Sequence, residues 1–356
     1  MKSIKLFLIA LLAITISGTI SAQDQRPAQG ERKPPNAAKR LQQPQVEAAP
    51  PAVTGNPNGP KGAPVEHFLN INTDGVYVKV ALNAYSFVKP LNDYIKGRND
   101  ANPMTLFDLI DFCAHYRIDA LDATGYFFVG YPDIPTDEYI YKVKQYAFRK
   151  GVDISGTGII NNFANPDADA RKQDVQRVKD WIDVASKLGA PVIRVFSGPV
   201  PAGYENKWDE VCTWLVECFK EVADYGQSKG VIVGVQNHGD MMATGEQTVK
   251  VMKAVNHPWF GLILDTGYFQ SDDVYDDMEM CLPYVVNWQI KESVTGRENL
   301  SPIDLDKIMK FVRKANYRGY LPVETLSITG RPYEPLTLVP EFIDQVRTAI
   351  VKEFEK

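Results

Sequence analysis

From residue 76 to the C-terminus the sequence alternates eight times between two patterns. One is a short run of β-branched and apolar residues; the other is a longer stretch with apolar residues three and four apart, the spacing of one helix face. The strand-like runs lie at 76–87, 118–128, 152–163, 190–198, 231–238, 260–268, 285–292 and 320–326. The helical stretches that follow them lie at 103–116, 136–150, 171–188, 208–229, 245–255, 275–282, 305–315 and 339–354. In the first, Leu106, Leu109, Ile110 and Cys113 mark the apolar face. The pairs Lys150-Gly151, Leu188-Gly189, Lys229-Gly230 and Arg318-Gly319 read as helix stops ahead of the next strand. Eight strand-helix units with short returns and no second linker predict an α/β fold, a closed parallel (β/α)₈ TIM barrel forming a single domain. A doubly wound open sheet would carry a glycine-rich phosphate loop after its first strand, where this chain has Asn83-Ala84-Tyr85-Ser86.

Ahead of the barrel the composition changes twice. Residues 1–22 begin with Lys2 and Lys5, continue through an apolar stretch at 6–14 and end in small residues, the pattern of a signal peptide. The apolar stretch is too short to span a bilayer comfortably, so the expectation is a periplasmic or secreted protein with no membrane insertion after cleavage. Residues 23–64 are rich in Pro, Gln and Ala with almost no large apolar side chains, and read as a disordered linker. Residues 65–356 remain for the barrel. The 39 basic and 44 acidic residues are mixed along the chain, for a net charge of −5, and no basic stripe points to nucleic acid. Cys113, Cys212, Cys218 and Cys281 form no CxxC pair, which argues for buried thiols rather than a zinc site. The oligomeric state is left open.

A barrel of this kind gathers the C-terminal ends of its strands into one mouth. Four late runs turn polar at that end, at Gln236-Asn237-His238, Asp265-Thr266-Gly267-Tyr268, Gln289-Ile290-Lys291-Glu292 and Glu324-Thr325. Gln236 and His238 share a strand face, as do Gln289 and Lys291, while Glu292 points away. On the earlier strands Asn83, Tyr85, Asp122, Tyr126 and Arg194 stand where hydroxyl groups of a small ligand would be bound. Tyr268 and Trp288 add aromatic faces suited to a sugar ring.

The phrases VGVQNHGD, LDTGYF, NWQIKES and LPVETL, in that order on successive strands, resemble the strand-end motifs of the xylose isomerase-like, or sugar phosphate isomerase/epimerase, superfamily. The resemblance implies an isomerase or epimerase for a small-molecule sugar. For an exported protein the substrate class is a neutral sugar or keto-sugar, deprotonated beside its carbonyl. It also implies a divalent cation held by Glu, Asp, His and Glu at the ends of strands five to eight, positions that carry Gln236, Asp265, Gln289 and Glu324 here. Asp265 and Glu324 match; the two glutamines depart. An all-oxygen set of this composition favours Mg²⁺, Mn²⁺ or Ca²⁺ over Zn²⁺. The family pairs two carboxylates across the sugar, and Gln236 cannot act as a base. That leaves Glu324 as the acid/base, with His238 and Lys291 as catalytic partners expected to titrate near neutrality. One base and one acid suit a lyase or hydratase as well as an isomerase, and a non-catalytic carbohydrate-binding barrel is the third reading.

Overall fold

Eight strands form where the apolar runs were expected. They are β1 (Lys79–Asn83), β2 (Ala120–Thr124), β3 (Asp153–Gly158), β4 (Val192–Val195), β5 (Ile232–Gln236), β6 (Phe260–Asp265), β7 (Val285–Lys291) and β8 (Tyr320–Glu324). In the computed structural model, which describes residues 78–98 and 102–354, they close in sequence order into one barrel. Every neighbouring pair is parallel, and Lys79–Leu82 of β1 register with Tyr320–Val323 of β8 to complete the circle. The expected signal peptide and linker lie outside the described residues. Among those described, no helix is long and apolar enough to cross a membrane.

The strands are buried on both faces, and their alternation divides the side chains between two cores. Leu82, Leu121, Val235, Leu264, Ile290 and Val323 belong to the hydrophobic cluster between sheet and helices. Their strand neighbours Asn83, Asp122, Gln236, Asp265, Gln289 and Glu324 are buried polar residues on the opposite, inner face. Below the mouth that face narrows: a Cβ added at Gly234 on β5 would come within 2.6 Å of Ile263 on β6.

The surrounding helices are α1 (Val88–Ile95), α2 (Leu106–His115), α3 (Asp137–Lys150), α4 (Ala168–Leu188), α5 (Trp208–Lys229), α6 (Gly245–Val255), α7 (Val274–Cys281), α8 (Leu305–Lys314) and α9 (Pro335–Phe354). Local sequence sets their ends. Thr105 and Asp108 form a reciprocal capping box at the start of α2, and Thr244 with Gln247 does the same for α6. Helices α3, α4 and α5 stop on Gly151, Gly189 and Gly230, all left-handed as their stop signals implied. The fourth expected stop is different. Helix α8 gives way at Ala315, and Asn316, at φ 51°, takes the left-handed turn in place of Gly319. Helix α1, inside the first strand-to-helix connection, was not expected from the sequence; its short amphipathic pattern sits beside the longer strand signal. The four cysteines are buried free thiols.

Candidate active site

The mouth of the barrel opens into a cavity of about 270 Å³, whose walls include Asn83, Tyr85, Tyr126, Arg194, Gln236, His238, Tyr268, Lys291 and Glu324. Its floor is a connected polar cluster. Lys291 Nζ lies 2.7 Å from Glu324 Oε1 and 3.3 Å from Asp265 Oδ2. The amide of Gln236 donates to the other side of the cluster at Asp265 Oδ2, and the amide of Gln289 donates to Glu324 Oε2. Asn83 Nδ2 in turn donates to Gln289 Oε1 at 3.1 Å. The side chains of Lys291 and Asp265 are 3% and 0% exposed, so this ammonium and its two carboxylates are screened very little by water.

Backbone contacts hold the cluster in place. Asn237 Oδ1 accepts from Asp265 N at 2.8 Å, while its Nδ2 donates to the Asp265 carbonyl at 2.9 Å. Gly267 N donates to Asp265 Oδ1 at 2.8 Å, and Thr266 Oγ1 accepts from Lys291 N at 2.9 Å. The ends of β5, β6 and β7 are thereby tied together at the level of the site. A rigid polar network of this kind fixes rotamers before any ligand arrives.

The opposite wall is cationic and aromatic. Arg194, 7% exposed, donates to the Tyr126 hydroxyl and lies 4.1 Å over the Phe196 ring. Two glycines of β3 make room beneath it. A Cβ at Gly158 would come within 2.7 Å of Arg194, and one at Gly156 within 2.7 Å of Asp122. His238 stacks between Tyr268, with ring centroids 4.1 Å apart, and Phe196, at 4.7 Å.

The sequence matches the xylose isomerase-like TIM barrel family over residues 118–344. The chain belongs to that family. This xylose isomerase-like barrel is similar to a D-psicose 3-epimerase solved with D-tagatose from Clostridium cellulolyticum H10, at 17% identity and TM-score 0.61, covering 77% of this chain and 99% of that one. It is similar to the 3-keto-D-glucoside 4-epimerase of E. coli at 12% identity and TM-score 0.59, covering 76% and 100%. A putative xylose isomerase from Rhodospirillum rubrum shares 15% identity at TM-score 0.62, covering 76% and 99%. At such identities the likeness is one of fold. No curated protein matches the chain by sequence.

Within the xylose isomerase-like barrel, the expected site residues fall into three groups. Asn83, Tyr85, Tyr126, Arg194, Gln236, His238, Tyr268, Lys291 and Glu324 reach the cavity, with Asp265 and Gln289 directly under its floor. Asp122 lies on the inner face but does not line the cavity; it is buried one strand step below Thr124, which does. Trp288 corrects the expectation of a sugar-stacking role. It is fully buried on the outer face of β7 and packs edge-on against Tyr317, with ring centroids 6.3 Å apart, because alternation sends it away from Gln289 and Lys291. Glu292 also points outward and pairs with Arg331, 2.8 Å from Nη1 to Oε2.

The expected titration of two residues is corrected as well. Burial, followed by the nearby charges of Lys291, Arg194 and Arg297, pushes the His238 imidazole down to about 3, so it is neutral at physiological pH. Burial alone would lower Lys291, but Asp265 and Glu324 outweigh it and hold the group well above the usual lysine range. Burial thus favours an uncharged His238 ring, and the two carboxylates favour a charged Lys291.

Sequence reasoning missed Thr124, Ile160 and Arg297. Thr124 was legible from alternation, since it shares a face with Asp122. Ile160 and Arg297 arrive on loops. The Arg297 loop is folded by its own hydroxyls: Ser293 Oγ donates to the Asn299 carbonyl at 2.9 Å and accepts from Ser301 N at 3.0 Å. This brings the Arg297 guanidinium 5.2 Å over the Tyr85 ring at the rim. A second groove of about 520 Å³ adjoins the cavity, sharing Ile160, Phe196 and His238 with it and continuing past Pro199 and Val200 to Asp240.

Asp122 allows a stability prediction. Burial pushes its carboxyl up to about 6 despite Arg194, from an ordinary value of 3.8. The folded state therefore holds this proton more tightly than the unfolded chain does. The resulting stabilisation is complete below about pH 4 and is lost as pH rises through about 6. Asp122→Asn removes that loss. The melting temperature of the variant minus that of the wild type should climb between pH 4 and pH 7, followed by circular dichroism; a difference that stays flat with pH contradicts the assignment.

Proposed function

We propose that this barrel enolises a keto-sugar: it removes a proton from the carbon beside a carbonyl, with Glu324 as the base. The observation that carries the reading is that Glu324 is the one carboxylate lining the cavity among the described residues, held in a single orientation by Gln289 and Lys291. Breaking the C–H bond sends the proton to Glu324 and the electron pair to the carbonyl oxygen as an enolate. The ring faces of Tyr85, Tyr126, Tyr268 and Phe196 suit the apolar face of a sugar, and Asn83, Thr124 and neutral His238 supply polar contacts for its hydroxyls. The similar solved proteins include a D-psicose 3-epimerase and a 3-keto-D-glucoside 4-epimerase, which supports a keto-sugar as the substrate class.

Gln236 stands where a second base would be needed for two-faced epimerisation. The single carboxylate favours same-face proton transfer, which gives isomerisation, over inversion at carbon. If a leaving group sits one carbon further on, the same enolate expels it, and the enzyme is a lyase. The adjoining groove supports a sugar with a substituent, such as a glycoside, and export would bring the enzyme to neutral extracellular sugars. A second reading is favoured by Arg194 and Arg297, which line the cavity and feel the charge of Glu324 but make no ion-pair contact within 4 Å among the described residues. They suit a sugar carrying its own carboxylate.

The test is solvent exchange in D₂O, followed by NMR over a panel of keto-hexoses, 3-keto-glycosides and keto-uronates. Deuterium incorporated beside the carbonyl is the expected result, and the products separate isomer from eliminated sugar. Tight sugar binding with no exchange across the panel moves the reading to a carbohydrate-binding barrel.

A further inference from the structure

The family resemblance implies a divalent cation between the ends of β5 to β8, and the side chains present do not fit one. The space between Asp265 and Glu324 is already taken by the Lys291 ammonium, in contact with both carboxylates. The two glutamines at the remaining ligand positions turn amide N–H groups towards those same carboxylates, so each anion already has a lysine and an amide as partners. Among the described residues, no group of three or more His, Cys, Asp or Glu side chains is gathered to hold a metal ion. The charges tell the same story. Two carboxylates and one ammonium leave the cluster at one net negative charge. Three carboxylates, a neutral histidine and a divalent ion, the set that the resemblance implies, leave the same charge. Replacing the fifth-strand carboxylate with Gln236 and the ion with Lys291 conserves the balance.

We infer that Lys291 is a built-in cation that takes the place of the divalent ion, making this barrel a metal-independent member of its family. Resting on the function proposed above, the inference gives Lys291 a role at the reacting atoms. Its ammonium borders the cavity beside Glu324, where it donates a hydrogen bond to the sugar's carbonyl oxygen. As Glu324 takes the proton from carbon, the negative charge that collects on that oxygen is met by the ammonium. Such a fixed, buried cation stabilises an enolate without reorganising. In the absence of substrate it offsets one of the two negative charges of Glu324 and Asp265, leaving the net charge that the ion would leave.

The experiment uses the purified protein, dialysed against EDTA and titrated with Mn²⁺ alone, with free Mn²⁺ read by electron paramagnetic resonance and melting temperature read in parallel. The wild type should leave Mn²⁺ free and keep its melting temperature. Lys291→Ala opens the space between two carboxylates, where Gln236 and Gln289 can turn their amide oxygens towards an ion once the ammonium is gone. It should bind Mn²⁺ more than about tenfold tighter than wild type, the least that loss of a positive charge at contact distance implies, and should melt higher with Mn²⁺ than without it. Stoichiometric Mn²⁺ on the wild type, lost in Asp265→Asn, overturns the inference. So does a folded Lys291→Ala protein with no gain in Mn²⁺ affinity. If Lys291→Ala does not fold, the wild-type titration with Asp265→Asn decides alone. These readouts need no turnover, so a wild type that exchanges no sugar proton defeats the functional reading and leaves the cation question to be settled by Mn²⁺.

Discussion

Glu324→Gln should reduce exchange of the sugar's proton by about a hundred- to ten-thousand-fold, the usual contribution of a positioned acid/base, while the protein stays folded and still binds sugar. The substitution keeps the shape of the side chain and an oxygen for the Gln289 amide, and it removes the capacity to take a proton together with one negative charge beside Lys291. Lys291 keeps a carboxylate partner in the variant, since Asp265 Oδ2 is 3.3 Å away. The measurement is the NMR rate of deuterium incorporation for the best substrate of the panel, with affinity taken from calorimetry on the same samples. Loss of exchange at unchanged affinity places the base at Glu324. Exchange at the wild-type rate in the variant removes Glu324 from the mechanism and sends the search to Asp265, the carboxylate under the cavity floor, and then to Asp122.

The second large effect is on stability. Lys291→Met keeps the length and volume of the side chain but leaves Asp265 and Glu324 as buried anions with no cation between them. Removing one partner of a buried ion pair costs about 3–5 kcal/mol. For a domain of this size each kcal/mol moves the melting temperature by about 2–4 °C, so the variant should melt about 10 °C below wild type at pH 7. The double variant Lys291→Met, Glu324→Gln should recover part of the loss, because one of the stranded charges is then neutral. The coupling between the two sites is read directly from the four melting temperatures. Equal melting temperatures for Lys291→Met and wild type would mean that the ammonium does not compensate these carboxylates in solution.

Much of the site was legible in the linear order of residues. Strand alternation alone puts Gln236 with His238, and Gln289 with Lys291, on one face, and barrel geometry then brings the ends of β5 to β8 together. The same rule, applied one residue further, already turns Trp288 outward and Thr124 inward. Other features left no such trace. Arg297 reaches the rim only because Ser293 folds its loop back through Asn299 and Ser301. Asn316 rather than Gly319 reverses the chain after α8, a choice between two residues that both tolerate left-handed backbone.

By itself the sequence determined the barrel, its eight-unit order, the strand ends that carry polar groups, and the replacement of a carboxylate and a histidine by Gln236 and Gln289. Those are properties of period and position, and they survive without coordinates. What only the tertiary structure decided is what fills the gap between Asp265 and Glu324. In the sequence Lys291 stands 26 residues from Asp265 and 33 from Glu324, with nothing to couple them. Closure of the sheet sets their side chains within contact of one ammonium, in a place shielded from water. There Coulomb attraction exceeds the cost of burial for the lysine, whereas for His238, with no anion against it, burial prevails and the ring stays neutral.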